Sequence, residues 1–221
     1  CSPVIENTET IAAARTAFRE ENAGYLTAVM EGRYTDAYLA HHGADAPKFT
    51  PAEMKAIGTP IDFVGLNVYT AAWVRPDASP LGYAIIHPPA SYPHMMSPWL
   101  TVGPQALYWS PKFTADIWGA KEIYITENGA SSTDVLTADG HVYDSDRVMY
   151  LRNYLTQLHR GVTEGVPVKG YFCWSFMDNY EWADGYSYRF GLHYVDFKTQ
   201  KRTPKLSAEF YKEVIARNGL A

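Results

Sequence analysis

The hydrophobic positions of the chain fall into two patterns, a helical spacing and short dense runs. The helical spacing predicts a first helix that is capped within residues 7–10 and carries on its apolar face Ile11, Ala14, Phe18, Leu26, Val29 and Met30. Shorter helices are predicted over residues 36–42 and from Thr50. At Thr50 the sequence Thr-Pro-Ala-Glu matches a capping box with proline in the first turn.

Three dense runs, rich in β-branched and aromatic residues, predict buried strands. They are IDFVGLNVY (61–69), EIYIT (122–126) and VKGYFCWSF (168–176). A fourth run, FGLHYVDF (190–197), is predicted to be extended. Residues 71–109 are rich in proline, glycine and serine and predict a long irregular loop, and so long a loop inside a compact domain is usually functional.

Three further helices are predicted around these strands. One begins at Ser110 and Pro111, and the last is capped by Ser207. The helix between them begins at Asp144 or Ser145, and its apolar face consists of Val148, Leu151, Tyr154, Leu155, Leu158 and Val162.

Strands that alternate with helices in this order predict parallel βαβ units. Two α/β architectures fit, a doubly wound open sheet and part of a (β/α)8 barrel. In both, functional residues belong at the carboxyl ends of the strands. The length of 221 residues suggests one domain or two small ones, and the chain shows no internal repeat and no low-complexity tract. Residues 1–221 are predicted to form a single segment.

Composition narrows the functions that the chain can have. Hydrophobic residues make up 47% and charged residues 19%, which is enough to build a packed core. The net charge of −5 argues against nucleic acid or an anionic membrane as a partner, and no apolar run reaches the length of a membrane span. The two cysteines make no disulfide framework. Seventeen tyrosines and six tryptophans point weakly to carbohydrate, because aromatic rings stack on the apolar faces of sugars.

Polar and aromatic residues follow all three predicted strands. Residues 67–69 end the first strand, Glu127 ends the second, and the aromatic stretch 174–182 follows the third. For an isolated Glu-Asn-Gly, a solvated acid beside a hairpin turn is the commoner outcome, but the end of a parallel strand favours a functional site. Two carboxylates in an aromatic cleft are what glycoside cleavage requires, so the residues alone favour the pair Glu127 and Glu181.

The residues give no support to a metal or cofactor site. The acids at 178, 181 and 184 lack the spacing of an EF-hand loop. His41 and His42 point in different directions on a helix, and no third ligand has a suitable spacing. No glycine-rich phosphate loop and no nucleophile elbow is present. We therefore expect neither a cofactor nor a metal.

Two stretches carry a specific resemblance to a known family. ITENG at 125–129 resembles the nucleophile motif of the glycoside hydrolase family 1 β-glucosidases, and residues 170–197 are similar to that family's eighth-strand region almost throughout. IDFVGLNVYT at 61–70 looks like its sixth strand. The resemblance implies a (β/α)8 TIM barrel, of which this chain is the C-terminal part, about strands 5/6 to 8.

The resemblance also implies roles for seven residues. Glu127 is the nucleophile that forms a covalent glycosyl-enzyme, and Tyr69 hydrogen-bonds it, with Asn67 nearby. Glu181 accepts hydrogen bonds from sugar hydroxyls, so it is not the acid that the residues alone favour. Trp182 is a hydrogen-bond donor to the sugar, Trp174 is the platform beneath the sugar ring, and Phe190 forms another wall of the site.

The acid of the reaction is missing from this sequence. The family carries it in an Asn-Glu-Pro motif at the end of the fourth strand, and no Asn-Glu-Pro is present here. We therefore expect an N-terminal half of the same enzyme as a partner, and a β-glucoside or related oligosaccharide as the substrate of the retaining enzyme that the two form. The alternatives are a non-catalytic carbohydrate-binding fragment and an open-sheet enzyme that uses Glu127 otherwise. The compartment stays open, with the cytoplasm favoured, because the true N-terminus is expected to lie outside this chain.

Overall fold

The structure, a computed structural model, describes residues 1–220. Its helices are α1 (Thr8–Glu21), α2 (Leu26–Glu31), α3 (Asp36–His42), α4 (Pro51–Ile57), α5 (Ala106–Trp118), α6 (Ser145–Thr163) and α7 (Leu206–Arg217). Its strands are β1 (Ser2–Pro3), β2 (Val64–Asn67), β3 (Trp73–Pro76), β4 (Tyr83–Ile86), β5 (Ile123–Asn128), β6 (Val168–Cys173), β7 (His193–Val195) and β8 (Arg202–Pro204). None of the helices in this range combines the length and the hydrophobicity that a bilayer crossing requires.

A central sheet of three parallel strands, in the order β2-β5-β6, organises the molecule. These strands are the three dense runs of the sequence, and α5 and α6 connect them, which confirms the predicted parallel βαβ units. In the register, Asn67 of β2 pairs with Glu127 of β5, and Asn128 pairs with Cys173 of β6. The carboxyl ends of the three strands therefore lie level with one another. Two smaller sheets, β1-β3-β4 and β7-β8, accompany the central one.

The central sheet is buried on one face only. Val64, Ile123 and Ile125 are at most 5% exposed, whereas the residues between them in β2 and β5 are more open. The opposite face is lined by Phe63, Tyr124, Thr126 and Phe172. Phe63 and Phe172 on that face are 54% and 58% exposed. The strands lie where they were predicted, but their predicted burial is wrong for this face.

Two apolar cores hold the helices in place. The larger core packs α6 and α5 against the buried face of the sheet, and its fully buried members include Leu107, Ile125, Tyr150 and Leu151. The smaller core packs α1 against α5, with Phe18 and Phe113 in contact at a ring-centroid distance of 5.8 Å. The larger core lies on the helical side of the central sheet, and the smaller core lies between α1, α5 and strands β3 and β4.

Residues 71–109 are more regular than the sequence predicts. They contain the antiparallel pair β3 and β4 and the first turn of α5, which begins at Ala106 rather than at Ser110. Pro111 therefore lies inside the helix instead of opening it. The first half of α5 is buried, so tertiary packing outweighs the backbone hydrogen bond that the proline removes.

The caps of the first helices follow the sequence. The Asn7 side chain accepts from the Thr10 N–H, and Thr50 and Glu53 form the predicted capping box. The first predicted helix, however, is two helices, because α1 ends at Glu21 and a turn precedes α2.

The two long C-terminal helices depart from their predicted caps. Asp144 occupies the N-cap position of α6 without a side-chain cap bond, and Val162 is 47% exposed rather than part of the buried face. Ser207 does not cap α7, since the N-cap position is Lys205. The Ser207 hydroxyl instead donates to the Asp144 carboxylate and so ties α7 to the start of α6.

Candidate functional site

The carboxyl ends of β2 and β5 bring Tyr69 and Glu127 together. The Tyr69 hydroxyl donates to Glu127 Oε2 at 2.7 Å, and the Val68 N–H donates to the Glu127 carbonyl at 2.9 Å. Burial, followed by the hydrogen bond to Glu127 and the charges of Glu127 and Glu181, raises the pKa of Tyr69 well above its usual value. Tyr69 is therefore a neutral donor facing a carboxylate acceptor.

Glu127 belongs to the strand and not to a turn. β5 continues through Asn128, whose side-chain Nδ2 donates to the Val68 carbonyl at 2.7 Å. At Gly129 the chain passes so near the next strand that a Cβ would lie 1.8 Å from the Trp174 carbonyl oxygen. The Asn-Gly pair thus joins β5 to its two neighbours, and no hairpin turn forms there.

The loop after β6 places Glu181 next to Trp174. The Trp174 Nε1–H donates to Glu181 Oε2 at 3.3 Å, and the Glu181 N–H donates to the Gly185 carbonyl at 2.7 Å. Trp182 is 80% exposed and has a φ of 40°, a left-handed conformation that is unusual for a bulky residue. The loop therefore presents a carboxylate held by one indole and flanked by a second, exposed indole.

The remaining two predicted contacts have other surroundings. Asn67 is exposed, and its Oδ1 accepts from the Thr126 Oγ1–H at 2.7 Å. Phe190 is 3% exposed and packs in the larger core, while its carbonyl accepts from the Ser175 N–H at 3.0 Å. Substrate contacts for Asn67 and Phe190 stay predictions.

Buried charges anchor the loop that carries Glu181. Asp178 has a fully buried side chain and accepts from Lys205 Nζ at 2.7 Å and from the Gly191 N–H at 3.0 Å. Its second oxygen accepts from Arg189 and from the Val195 N–H. The start of the loop is therefore tied to its end and to the first residue before α7.

The same cluster reaches the start of α6. Lys205 also donates to Asp134, and Arg147 donates to both Asp134 and Asp144, with each of these side chains at most 1% exposed. Burial alone would raise the pKa of Asp134, but the hydrogen bond and charge of Arg147 and the charge of Lys205 hold it below its usual value. Sequence reasoning missed this cluster, because its members come from four separate segments that no local pattern connects.

Trp99 is a second residue that sequence reasoning missed. Its ring meets the Tyr69 ring edge-on, with centroids 5.7 Å apart, and half of the side chain is exposed. It lies in the segment 71–109, whose length was the only signal that the segment has a function.

The chemistry of the site is that of carboxylates, phenols and indoles. Across residues 1–220, no three His, Cys, Asp or Glu side chains are grouped so that they could hold a metal ion. Burial raises the pKa of the Cys173 thiol to about 12, so it stays protonated. Glu127 and Glu181 have different partners, Tyr69 for the first and Trp174 for the second.

Comparisons with known proteins agree with this arrangement. The profile of Glycosyl hydrolase family 1 matches residues 2–220. The chain is 40% identical over 220 residues to a 1,4-beta-D-glucan glucohydrolase of Thermotoga neapolitana and 39% identical over 221 residues to beta-glucosidase A of Thermotoga maritima. Each match covers 99% of this chain and 49% of the relative, so the chain spans about half the length of the curated relatives it matches.

Solved structures give the same result. A β-glucosidase from Thermotoga maritima in complex with azafagomine superposes with a TM-score of 0.82 at 37% identity, and the family 1 β-glucosidase of that organism with 0.83 at 37%. Both comparisons cover 99% of this chain and 49% of the other. These neighbours are TIM barrels, which decides between the two predicted architectures. The chain belongs to glycosyl hydrolase family 1.

Proposed function

We propose that this chain is the C-terminal part, about strands 5/6 to 8, of a retaining β-glucosidase barrel, and that it hydrolyses β-glucosides together with an N-terminal half. The observation that carries the proposal is the hydrogen bond of 2.7 Å between Tyr69 and Glu127, at the carboxyl ends of two parallel strands of a family 1 chain. That edge of the sheet is where barrel enzymes hold their catalytic residues.

Glu127 is the nucleophile in this proposal. Its carboxylate attacks the anomeric carbon and forms a glycosyl-enzyme ester while the glycosidic oxygen leaves with a proton from the acid of the N-terminal half. A water molecule then attacks the anomeric carbon and gives its proton to the same acid, which releases the sugar and restores Glu127. Tyr69 donates a hydrogen bond to the carboxylate and so orients it.

The loop after β6 binds the sugar. Glu181 accepts hydrogen bonds from sugar hydroxyls, and the Trp174 indole that holds it forms the platform beneath the ring. Trp182 is exposed and so has its N–H free for a donor role, while the Trp99 ring packs edge-on against Tyr69. Asn67 and Phe190 complete the predicted set of sugar contacts.

The exposed face of the central sheet supports an N-terminal half as the partner. Phe63 and Phe172 leave more than half of their surface in water, and β2 and β6 each have one unpaired edge within the sheet. Open apolar faces and unpaired edges are normally covered. The chain also spans about half the length of its relatives, which leaves the other strands of a barrel to a second segment.

Reconstitution tests the proposal. This chain is expressed alone and with the N-terminal half of its own enzyme or, as a substitute, the corresponding half of the Thermotoga maritima β-glucosidase A, and both samples are assayed on an aryl β-glucoside. We expect turnover only in the mixture. Full turnover by the isolated chain would contradict the proposal that the active site needs both halves. Absence of turnover in every mixture would contradict the proposal that the chain is part of a β-glucosidase.

Labelling identifies the nucleophile. A 2-fluoro-sugar that traps the glycosyl-enzyme is expected to modify the peptide that contains Glu127, and Glu127→Gln is expected to abolish the label. The matched control is Glu181→Gln, which should weaken sugar binding and leave the label in place. A label on Glu181 would overturn the assignment.

A non-catalytic carbohydrate-binding fragment is the second candidate. It is favoured by one observation, that the binding elements Trp174, Glu181 and Trp182 all lie on a single anchored loop of this chain. In that case the isolated chain binds glucosides, and addition of the N-terminal half changes neither binding nor turnover.

A further inference from the structure

Two buried phenols of α6 converge on the backbone of Tyr69. The Tyr150 hydroxyl donates to the Tyr69 carbonyl at 2.9 Å, and the Tyr154 hydroxyl donates to the same oxygen at 2.8 Å. Both side chains are fully buried, and their rings stack with centroids 3.8 Å apart. A single carbonyl oxygen therefore has both lone pairs occupied by side chains of one helix.

The surrounding donors fix where each hydroxyl proton points. The Gly103 N–H donates to the Tyr154 oxygen at 2.8 Å, and Asn128 Nδ2 donates to the Tyr150 oxygen at 3.0 Å. An amide N–H can only donate, so each phenol oxygen is the acceptor in that contact. The single hydroxyl proton of each phenol is therefore available for the Tyr69 carbonyl, which can only accept. Burial raises the pKa of Tyr154 to about 12 and that of Tyr150 well above its usual value, so both protons are retained at neutral pH.

The network holds both partners of the Tyr69–Glu127 hydrogen bond. Asn128 directly follows Glu127, and its Nδ2 contacts both Tyr150 and the Val68 carbonyl. On its other side, the Asn128 Oδ1 accepts from the Tyr171 hydroxyl at 2.7 Å. The donor and the acceptor are therefore fixed to α6 through separate contacts, one at a carbonyl and one at a side-chain amide.

We propose that Tyr150 and Tyr154 are positioning residues for the reaction, which hold the Tyr69 hydroxyl on the Glu127 carboxylate without touching substrate. The proposal rests on the proposed function, since it concerns the nucleophile assigned there. A hydrogen bond weakens steeply as its geometry departs from the optimum, so a small rotation of the Tyr69 backbone reduces what the phenol contributes to the carboxylate. Sugar binding by the loop after β6 does not depend on these contacts.

Phenylalanine variants in the enzyme reconstituted with its N-terminal half test the proposal. Tyr150→Phe and Tyr154→Phe keep the packed rings and remove one hydroxyl each. We expect kcat/KM to fall by about 5–10-fold for each, the equivalent of about one hydrogen bond. The acid limb of its pH profile should move to higher pH, because the ionised nucleophile loses part of its stabilisation. The affinity for a competitive sugar-shaped inhibitor should stay within about twofold, since Glu181 and Trp174 are unaffected.

Three controls separate positioning from loss of folded protein. Rates are expressed per site trapped by the 2-fluoro-sugar, so unfolded protein does not count. Tyr108→Phe removes the hydrogen bond from another core tyrosine to Glu164 and should leave the pH profile unchanged. In a Tyr69→Phe background, the Tyr150→Phe and Tyr154→Phe effects should disappear, because a hydroxyl that is absent cannot be positioned.

The outcomes are distinct. Unshifted pH profiles in active variants, or effects that persist in full in the Tyr69→Phe background, would overturn the positioning role. If the wild-type mixture itself neither traps the fluoro-sugar nor turns over, the proposed function fails, and this is visible before any variant is made.

Discussion

At the scale of single residues, the important contact joins a phenol to a carboxylate. Tyr69 and Glu127 are 58 positions apart in the sequence and meet because β2 and β5 pair in parallel with Asn67 opposite Glu127. Glu127 was predictable because it ends an apolar strand, and Tyr69 because the family resemblance pairs the two. The Asn128 cross-link and Trp99 were not predictable, because each acts through a contact with a residue that is distant in the sequence.

The first prediction concerns Tyr69→Phe. A hydrogen bond to a charged group is worth about 1.5–3 kcal/mol, so its loss should lower kcat/KM of the reconstituted enzyme about 10–100-fold. The acid limb of the pH profile should also move upward. Steady-state kinetics over a range of pH values would measure both kcat/KM and the position of the acid limb.

Tyr83→Phe is the matched control for that change. Its hydroxyl also donates to a glutamate, Glu21, at 2.8 Å, but the pair lies where β4 meets the end of α1. An equal loss of activity in Tyr83→Phe would show that removal of any tyrosine–glutamate contact is sufficient, and would remove the special role of Tyr69.

At the scale of secondary-structure elements, the sequence predicted the elements that have a periodic hydrophobic pattern. It missed those that depend on tertiary contacts. The three parallel strands and α6 have strong periodic patterns and were predicted in place. The β3–β4 pair was missed because its segment is rich in turn-forming residues. The predicted start of α5 is too late, because proline is typical of the first turn of a helix. In the structure the buried helix tolerates Pro111 in its interior.

Ser207 shows how an element end can be misread. A serine before an apolar helical pattern predicts an N-cap. Here the serine lies one residue inside α7, and its hydroxyl bonds with Asp144 across 63 positions. The serine hydroxyl does form a hydrogen bond, but the bond joins two helices and does not cap one.

The second prediction concerns the ionic cluster that joins these elements. Lys205→Met leaves the buried carboxylates of Asp134 and Asp178 without their shared cation. Removal of one partner from a buried ion pair typically destabilises a protein by about 3–5 kcal/mol. We expect a loss of that order in urea unfolding of the isolated chain, and a higher KM after reconstitution because the loop with Glu181 loses its anchor.

Lys201→Met provides the comparison for the cluster. Lys201 is also a lysine, but it is exposed and lies in the turn between β7 and β8. Its replacement therefore tests the general effect of removing a lysine side chain. A similar loss of stability in both variants would contradict the anchoring role of Lys205.

At the scale of the whole molecule, buried phenols predict how stability depends on alkaline pH. Burial raises the pKa of Tyr154 to about 12, whereas an unfolded tyrosine titrates near 10. Between about pH 10 and 12 the unfolded chain loses a proton that the folded chain keeps. The contribution is therefore fully present below about pH 10 and is lost as the pH rises through the folded pKa.

The third prediction follows from that sign. The free energy of unfolding should fall as the pH rises above about 10, and Tyr154→Phe should make the fall shallower. Urea titrations at closely spaced alkaline pH values would measure it. Tyr25→Phe, at a position that is 83% exposed, is the control and should leave the slope as it is. An unchanged slope in Tyr154→Phe would mean that this phenol does not carry the effect.

The fourth prediction concerns the open face of the central sheet, which the sequence could not reveal because its strand patterns predict burial on both faces. Phe172 is 58% exposed on that face, so Phe172→Ser should lower dye binding and aggregation of the isolated chain. The same change should weaken the complex with the N-terminal half by about 1–3 kcal/mol, because the ring is then missing from a covered core. Val135→Ser, at a loop position that is 68% exposed, should do neither. Opposite signs in the two measurements are the signature of an interior face, whereas an improvement in the isolated chain with no change in the complex would make this face a true surface.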